Sequence, residues 1–114
     1  MLDLQFADRV RVAPEATSGR ARVEVLAVCA NYAFADACRA PILDACSELL
    51  DGGAPGVEVD LSRVQVMDSC GLGLLVALVR LASDRNVAVR LAGASTSVRK
   101  LLELTHLDRV FEAV

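Results

Sequence analysis

The segment from Cys70 to Ala82 is apolar almost all the way round. A surface helix carries one apolar stripe, whereas a helix with so little polar circumference must be buried on more than one side. The membrane does not supply those walls. The longest apolar stretch, Leu72 to Val79, is interrupted by Gly73 and stopped by Arg80, far short of the roughly 20 residues a bilayer crossing needs. They must come from the rest of a 114-residue chain, the size of one ordinary domain. At 54% hydrophobic and 24% charged the chain has enough apolar material for one core and too much for disorder.

Hydrophobic periodicity supplies the other elements. Arg9-Val10-Arg11-Val12 alternates as a half-buried strand does. Pro14 to Gly19 reads as a turn, and a second strand fits Ala21 to Cys29. Phe34 to Leu50 places Cys38, Ile42, Ala45, Cys46 and Leu49 at helical steps. Asn31 is a suitable cap for that helix; Pro41 inside it implies a kink or a later start. Asp51 to Gly56 ends it. Val57 to Leu61 and Val87 to Leu91 are strands by alternation, with Val64 to Met67 leading into the apolar helix. Ser95 caps a last helix whose Val98, Leu101, Leu102 and Thr105 share a face, and Leu107 to Phe111 closes the chain. Two strands followed by alternating helices and strands predict an α/β fold: a mixed β-sheet with helices packed on it, in one domain spanning residues 1–114.

Composition removes several functions. Aromatics make up 4% of the chain and Trp is absent, so base stacking has little to work with. The net charge of -3 and pI of about 5.0 argue against a phosphate-backbone binder. Residues 1–60 are acidic on balance and residues 61–114 basic, a mild asymmetry read as two solvated faces. The N-terminus has neither a basic n-region nor a long apolar h-region, so a cytoplasmic location without membrane insertion is expected. Cys29, Cys38, Cys46 and Cys70 form no C-x-x-C pair, and the lone His106 is distant in sequence. Neither a metal site nor a disulfide is expected. Cys29, Cys38 and Cys46 read as small buried hydrophobes. No cofactor is expected.

The chemistry-bearing stretch is Val59-Asp60-Leu61-Ser62, then Val66-Met67-Asp68-Ser69-Cys70-Gly71-Leu72-Gly73. A strand leads to a polar turn, and the turn opens a helix. Asp68 is placed to cap that helix, with Ser69 at its first position, where free N–H groups and the dipole favour an anion. Gly71 and Gly73 bare the backbone, so another chain can approach. Ser69 lacks a general base, Asp60 lies too far back to pair with Asp68, and His106 reads as a loop residue. No catalytic set is read, and the chain is not expected to be an enzyme.

This run resembles the signature of bacterial anti-sigma factor antagonists, the soluble STAS domains. The resemblance continues through Val87 to Gly93, through Ser97-Val98-Arg99-Lys100-Leu101-Leu102, and to Leu107 and Phe111. It implies a partner switch. An anti-sigma factor that is also a serine kinase phosphorylates Ser69, the unmodified chain sequesters that factor, and a phosphatase resets the cycle. The partner-binding residues so implied are Asp68, Ser69, Cys70, Gly71, Leu72, Gly73 and Asn31. Two positions depart from the family pattern: Cys70 stands where Ser or Thr is usual, and Asn31 where an aspartate is usual. Two rival readings remain. One is a STAS scaffold or accessory subunit, of a lipid transporter or signalling complex, with no phosphorylation cycle. The other is a redox-responsive regulator using Cys70 at a helix N-terminus.

Overall fold

The structure, a computed structural model, describes residues 4–6 and 9–111. The chain opens with an antiparallel meander of β1 (Leu4–Phe6), β2 (Val10–Pro14) and β3 (Ala21–Val25). Two crossovers follow. The first runs through β4 (Cys29–Ala30) and α1 (Tyr32–Asp51) to β5 (Val57–Asp60). The second runs through β6 (Val66–Met67) and α2 (Ser69–Ser83) to β7 (Val89–Ala92). After β7 come α3 (Thr96–Leu104) and a 3-10 turn at Leu107–Arg109.

The main sheet has the order β1-β2-β3-β5-β7, with β3, β5 and β7 parallel. Both crossovers step in the same direction along it. Right-handed crossovers that step one way place their helices on one face, and α1 and α2 do pack together in the core. Val10, Val12, Val23, Val25, Val57 and Val59 turn toward that face and are buried. They meet Phe34, Cys38, Ile42 and Cys46 of α1 and Leu74, Leu75, Leu78 and Ala82 of α2. The burial of α2 on several sides is thus met by the sheet beneath it and α1 beside it.

The alternate residues of the sheet form a layer of charge. Arg22, Glu58 and Arg90 stand in register on β3, β5 and β7. Arg22 is bonded to the Glu58 carboxylate and, at 2.7 Å, to that of Asp60. The Arg90 Nε is 3.9 Å from Glu58. Glu58 is only 7% exposed, which strand alternation alone does not foretell.

Three of the boundaries that differ from the sequence reading have a clear local reason. The strand expected over Ala21 to Cys29 stops at Val25, because the amides of Leu26 and Ala27 both donate to the Arg9 carbonyl. Two residues against one make a bulge that turns the chain out of the ladder. Cys29–Ala30 then pairs in parallel with Val66–Met67 in a separate two-stranded ribbon. The strand expected from Val87 begins at Val89, because Val87 donates back to the Ala82 carbonyl and Asn86 to that of Ser83, with Asn86 left-handed at φ 57. That is a Schellman-type end to α2. Finally, α1 starts at Tyr32 and continues through Pro41. The amide missing at Pro41 deprives the carbonyl of Ala37, an exposed residue that water can serve.

Arg85 joins the far ends of the helices, reaching Asp51 at 2.8 Å, the Ser47 hydroxyl at 2.8 Å and the Leu81 carbonyl at 3.1 Å. Its guanidinium holds the Asp51 carboxyl below the ordinary value of 3.8, chiefly through the hydrogen bond. A carboxyl lowered on folding stabilises the fold above its unfolded value and loses that contribution as pH falls through the folded one. Asp51→Asn should therefore be less stable than wild type at neutral pH and converge with it as pH falls below about 4, as read by urea midpoints across pH. Ile42→Ala, deep in the core at 1% exposure, should cost about 2–5 kcal/mol at any pH.

Candidate functional site

The two crossovers repeat one local arrangement: a two-residue strand, a polar cap, then a helix. In the first, the Asn31 side-chain oxygen accepts from the Phe34 amide at 3.2 Å. In the second, Asp68 Oδ1 accepts from the Cys70 amide at 2.8 Å and the Gly71 amide at 3.2 Å. Ala30 is paired with Met67, and the Asp68 amide donates to the Ala30 carbonyl at 3.2 Å. The N-termini of α1 and α2 therefore stand side by side, at the end of the molecule beyond the carboxyl ends of the parallel strands.

Ser69 occupies the first position of α2 and is exposed. Its hydroxyl makes no hydrogen bond among the described residues. Asp68, Cys70 and Asn31 are also exposed. Gly73 is half-buried, with nothing within 4 Å of where a Cβ would stand.

Gly71 and Leu72 lie inside instead. A Cβ on Gly71 would stand 2.3 Å from the Ala30 carbonyl oxygen and 2.9 Å from Met67 Cγ. The bare backbone there admits this chain's own β4 rather than a partner. Leu72 is 6% exposed and belongs to the core.

Cys29 departs from the expectation of burial: it is exposed on β4, as Cys70 is on α2. Leaving the main sheet at the bulge turns its side chain outward. Cys38 and Cys46 are buried as expected. Burial pushes the Cys46 thiol up to about 12. It raises Cys38 too, with Arg9 partly opposing. All four cysteines are free, and no metal-binding cluster occurs among the described residues. Asp60 is committed to Arg22 and to the Ser62 amide at 2.9 Å. His106 sits in a left-handed turn after α3. No helix among the described residues is long and apolar enough to cross a membrane.

Sequence reasoning missed Val28, Tyr32 and Val66, which flank this end and are 52%, 59% and 56% exposed. Val28 falls in the strand expected over Ala21 to Cys29 and Val66 in the stretch leading into the apolar helix, and both lie at the ribbon that splits from the main sheet.

The family and the fold have relatives among known proteins. A family model described as "Mlab, STAS domain" matches residues 35–112. A STAS-domain-containing protein of Pseudomonas aeruginosa is 35% identical over 54 residues, covering 47% of this chain and 54% of that protein. The chain thus spans about half the length of that relative. A candidate anti-sigma factor antagonist from Thermotoga maritima has a TM-score of 0.67 at 26% identity, covering 81% of this chain and 77% of its own. The anti-sigma factor antagonist SpoIIAA shares the fold. Its unphosphorylated form has a TM-score of 0.71 at 18% identity, covering 92% of this chain and 87% of its own. Its phosphorylated form, from Bacillus, has a TM-score of 0.66 at 16% identity, covering 92% and 90%.

Two measurements follow from the site. Iodoacetamide should label Cys29 and Cys70 rapidly in the native protein and reach Cys38 and Cys46 only on unfolding, as intact mass would report. Gly71→Ala should destabilise the domain by about 1–3 kcal/mol in urea titration, whereas Gly73→Ala should stabilise it by up to about 1 kcal/mol.

Proposed function

The chain belongs to the STAS domain family, and from that premise we propose that it is an anti-sigma factor antagonist switched by phosphorylation of Ser69. The observation that carries the proposal is the free, exposed Ser69 hydroxyl at the first position of α2, beside the N-terminus of α1. The chain acts as a binding module rather than an enzyme. A serine kinase that is also the anti-sigma factor supplies the chemistry: the Ser69 oxygen bonds to the γ-phosphorus of ATP, the bond to ADP breaks, and the hydroxyl proton passes to the kinase. A phosphatase hydrolyses the ester and resets the cycle.

The fold tolerates the product. A phosphate adds roughly -1.5 to -2 charges at neutral pH, and two helix N-termini offset part of that field. Asp68 works against it, having already taken the Cys70 and Gly71 amides. Asn31 keeps the neighbouring cap neutral, so one carboxylate rather than two faces the new charge. A partner fitted to an uncharged serine has no such compensation.

A second reading is an accessory STAS subunit with no phosphorylation cycle. It is favoured by the match to the Mlab family model over residues 35–112.

Intact mass of protein from its native cells should show one added phosphate, mapped to Ser69. Calorimetry against the kinase should find Ser69→Ala binding like wild type, and the phosphorylated form weaker by about two orders of magnitude. Ser69→Asp should fall between, since a carboxylate carries less charge than a phosphate. Equal affinity in all four forms, with no phosphate in cells, would leave the accessory reading standing.

A further inference from the structure

A cavity of about 770 Å3 opens at the end of the molecule opposite Ser69, by the amino ends of β3 and β5. It is lined by Val12 of β2, by Ala45, Glu48 and Leu49 of α1, and by Ala54 and Pro55 of the loop that joins α1 to β5. That loop is fixed by its own amides. Gly52 donates to the Glu48 carbonyl, Gly53 to that of Leu50 and Ala54 to that of Leu49, each at 3.0 Å. Gly53 takes a φ of 103, which its missing side chain permits. The cavity is therefore bounded by a strand, a helix and a tied turn.

A space of this size suits a small molecule, and mostly apolar walls favour an apolar body. Charge selects the rest of the occupant. Among the described residues, Glu48 is the one charged side chain that lines the cavity, and it is exposed. The cavity also lies at the carboxyl end of a 20-residue helix with no basic residue in its last turn. Unpaired carbonyls give such an end about half a negative charge. Two arginines stand near, and neither lines the cavity. Arg85 is engaged with Asp51, Ser47 and the Leu81 carbonyl. The Arg20 Nε lies 3.8 Å from where a Cβ on Gly56 would stand. We propose that the cavity is a binding site for a small amphipathic cation, an amine on a hydrophobic body. The ammonium group pairs with Glu48 at the mouth, and the hydrocarbon lies against Val12, Leu49 and Ala54. The site is independent of the reading of Ser69.

The probe is dodecylamine, with dodecanol and dodecanoic acid as neutral and anionic controls of the same length, each below the concentration at which it aggregates. Calorimetry on the full chain should find dodecylamine binding with a Kd of about 100 μM or tighter. Dodecanol should bind about fivefold more weakly, as the loss of one exposed ion pair predicts, and dodecanoic acid more weakly still. Glu48→Gln should erase the advantage of the amine over the alcohol. Ala54→Phe, which sets a ring in the cavity, should weaken both by about tenfold or more. Ser69→Ala, at the far end, should bind the amine as wild type does. Circular dichroism and urea midpoints establish folding. Glu48 is exposed, so Glu48→Gln carries the test should Ala54→Phe unfold. No binding of dodecylamine, or binding that a folded Ala54→Phe leaves intact, would overturn the site. Dodecanoic acid binding as tightly as dodecylamine, or an amine preference that survives Glu48→Gln, would overturn the cation as its occupant.

Discussion

The geometry of the candidate site depends on one steric fact: the backbone of α2 at Gly71 lies against the carbonyl of Ala30 with no room for a side chain. That approach ties the start of α2 to β4 and, through Asn31, to the start of α1. It lets the Asp68 amide reach the Ala30 carbonyl and complete the short ribbon. A bulkier residue at this one position would push the two helix starts apart, and Ser69 would lose its neighbour. The glycine that a sequence reader assigns to partner access is thus spent inside the molecule, and access falls to the residues around it.

The sequence was most legible where structure is decided by near neighbours. The caps at Asn31, Asp68 and Ser95 follow from side chains reaching amides two or three residues ahead, and all three are in place. The helical steps of Phe34, Cys38, Ile42, Ala45 and Cys46 face the core as their spacing demands. The alternation of β2 and β3 carries the sheet's buried face. With them come the mixed sheet and its packed helices, and the position of Ser69 at the first turn of α2.

What stayed hidden depends on residues far apart in the chain. The bulge at Leu26 and Ala27 exists only because Arg9 lies opposite, and without it Val28 and Cys29 read as strand interior. Their exposure, and that of Val66, follows from a pairing that joins positions in the twenties to positions in the sixties. The shortening of β7 is local but quiet: one asparagine in a left-handed turn claims the Val87 amide for the helix end. Thr105 keeps the spacing of a core residue yet is exposed, because the helix ends at Leu104 and its hydroxyl bonds the Leu101 carbonyl at 2.8 Å.

The layer of charge on β3, β5 and β7 also governs how the molecule can meet its own kind. Sheets stack when both faces are apolar, and stacking here would take Arg22, Glu58, Asp60 and Arg90 further out of water. Desolvating such ions costs several kcal/mol each, and their mutual pairing is already in place before any second sheet arrives. A bare sheet face is ordinarily a route to aggregation. This one carries its own counter-charges, so covering it with a second sheet would bring a desolvation cost that an apolar face does not.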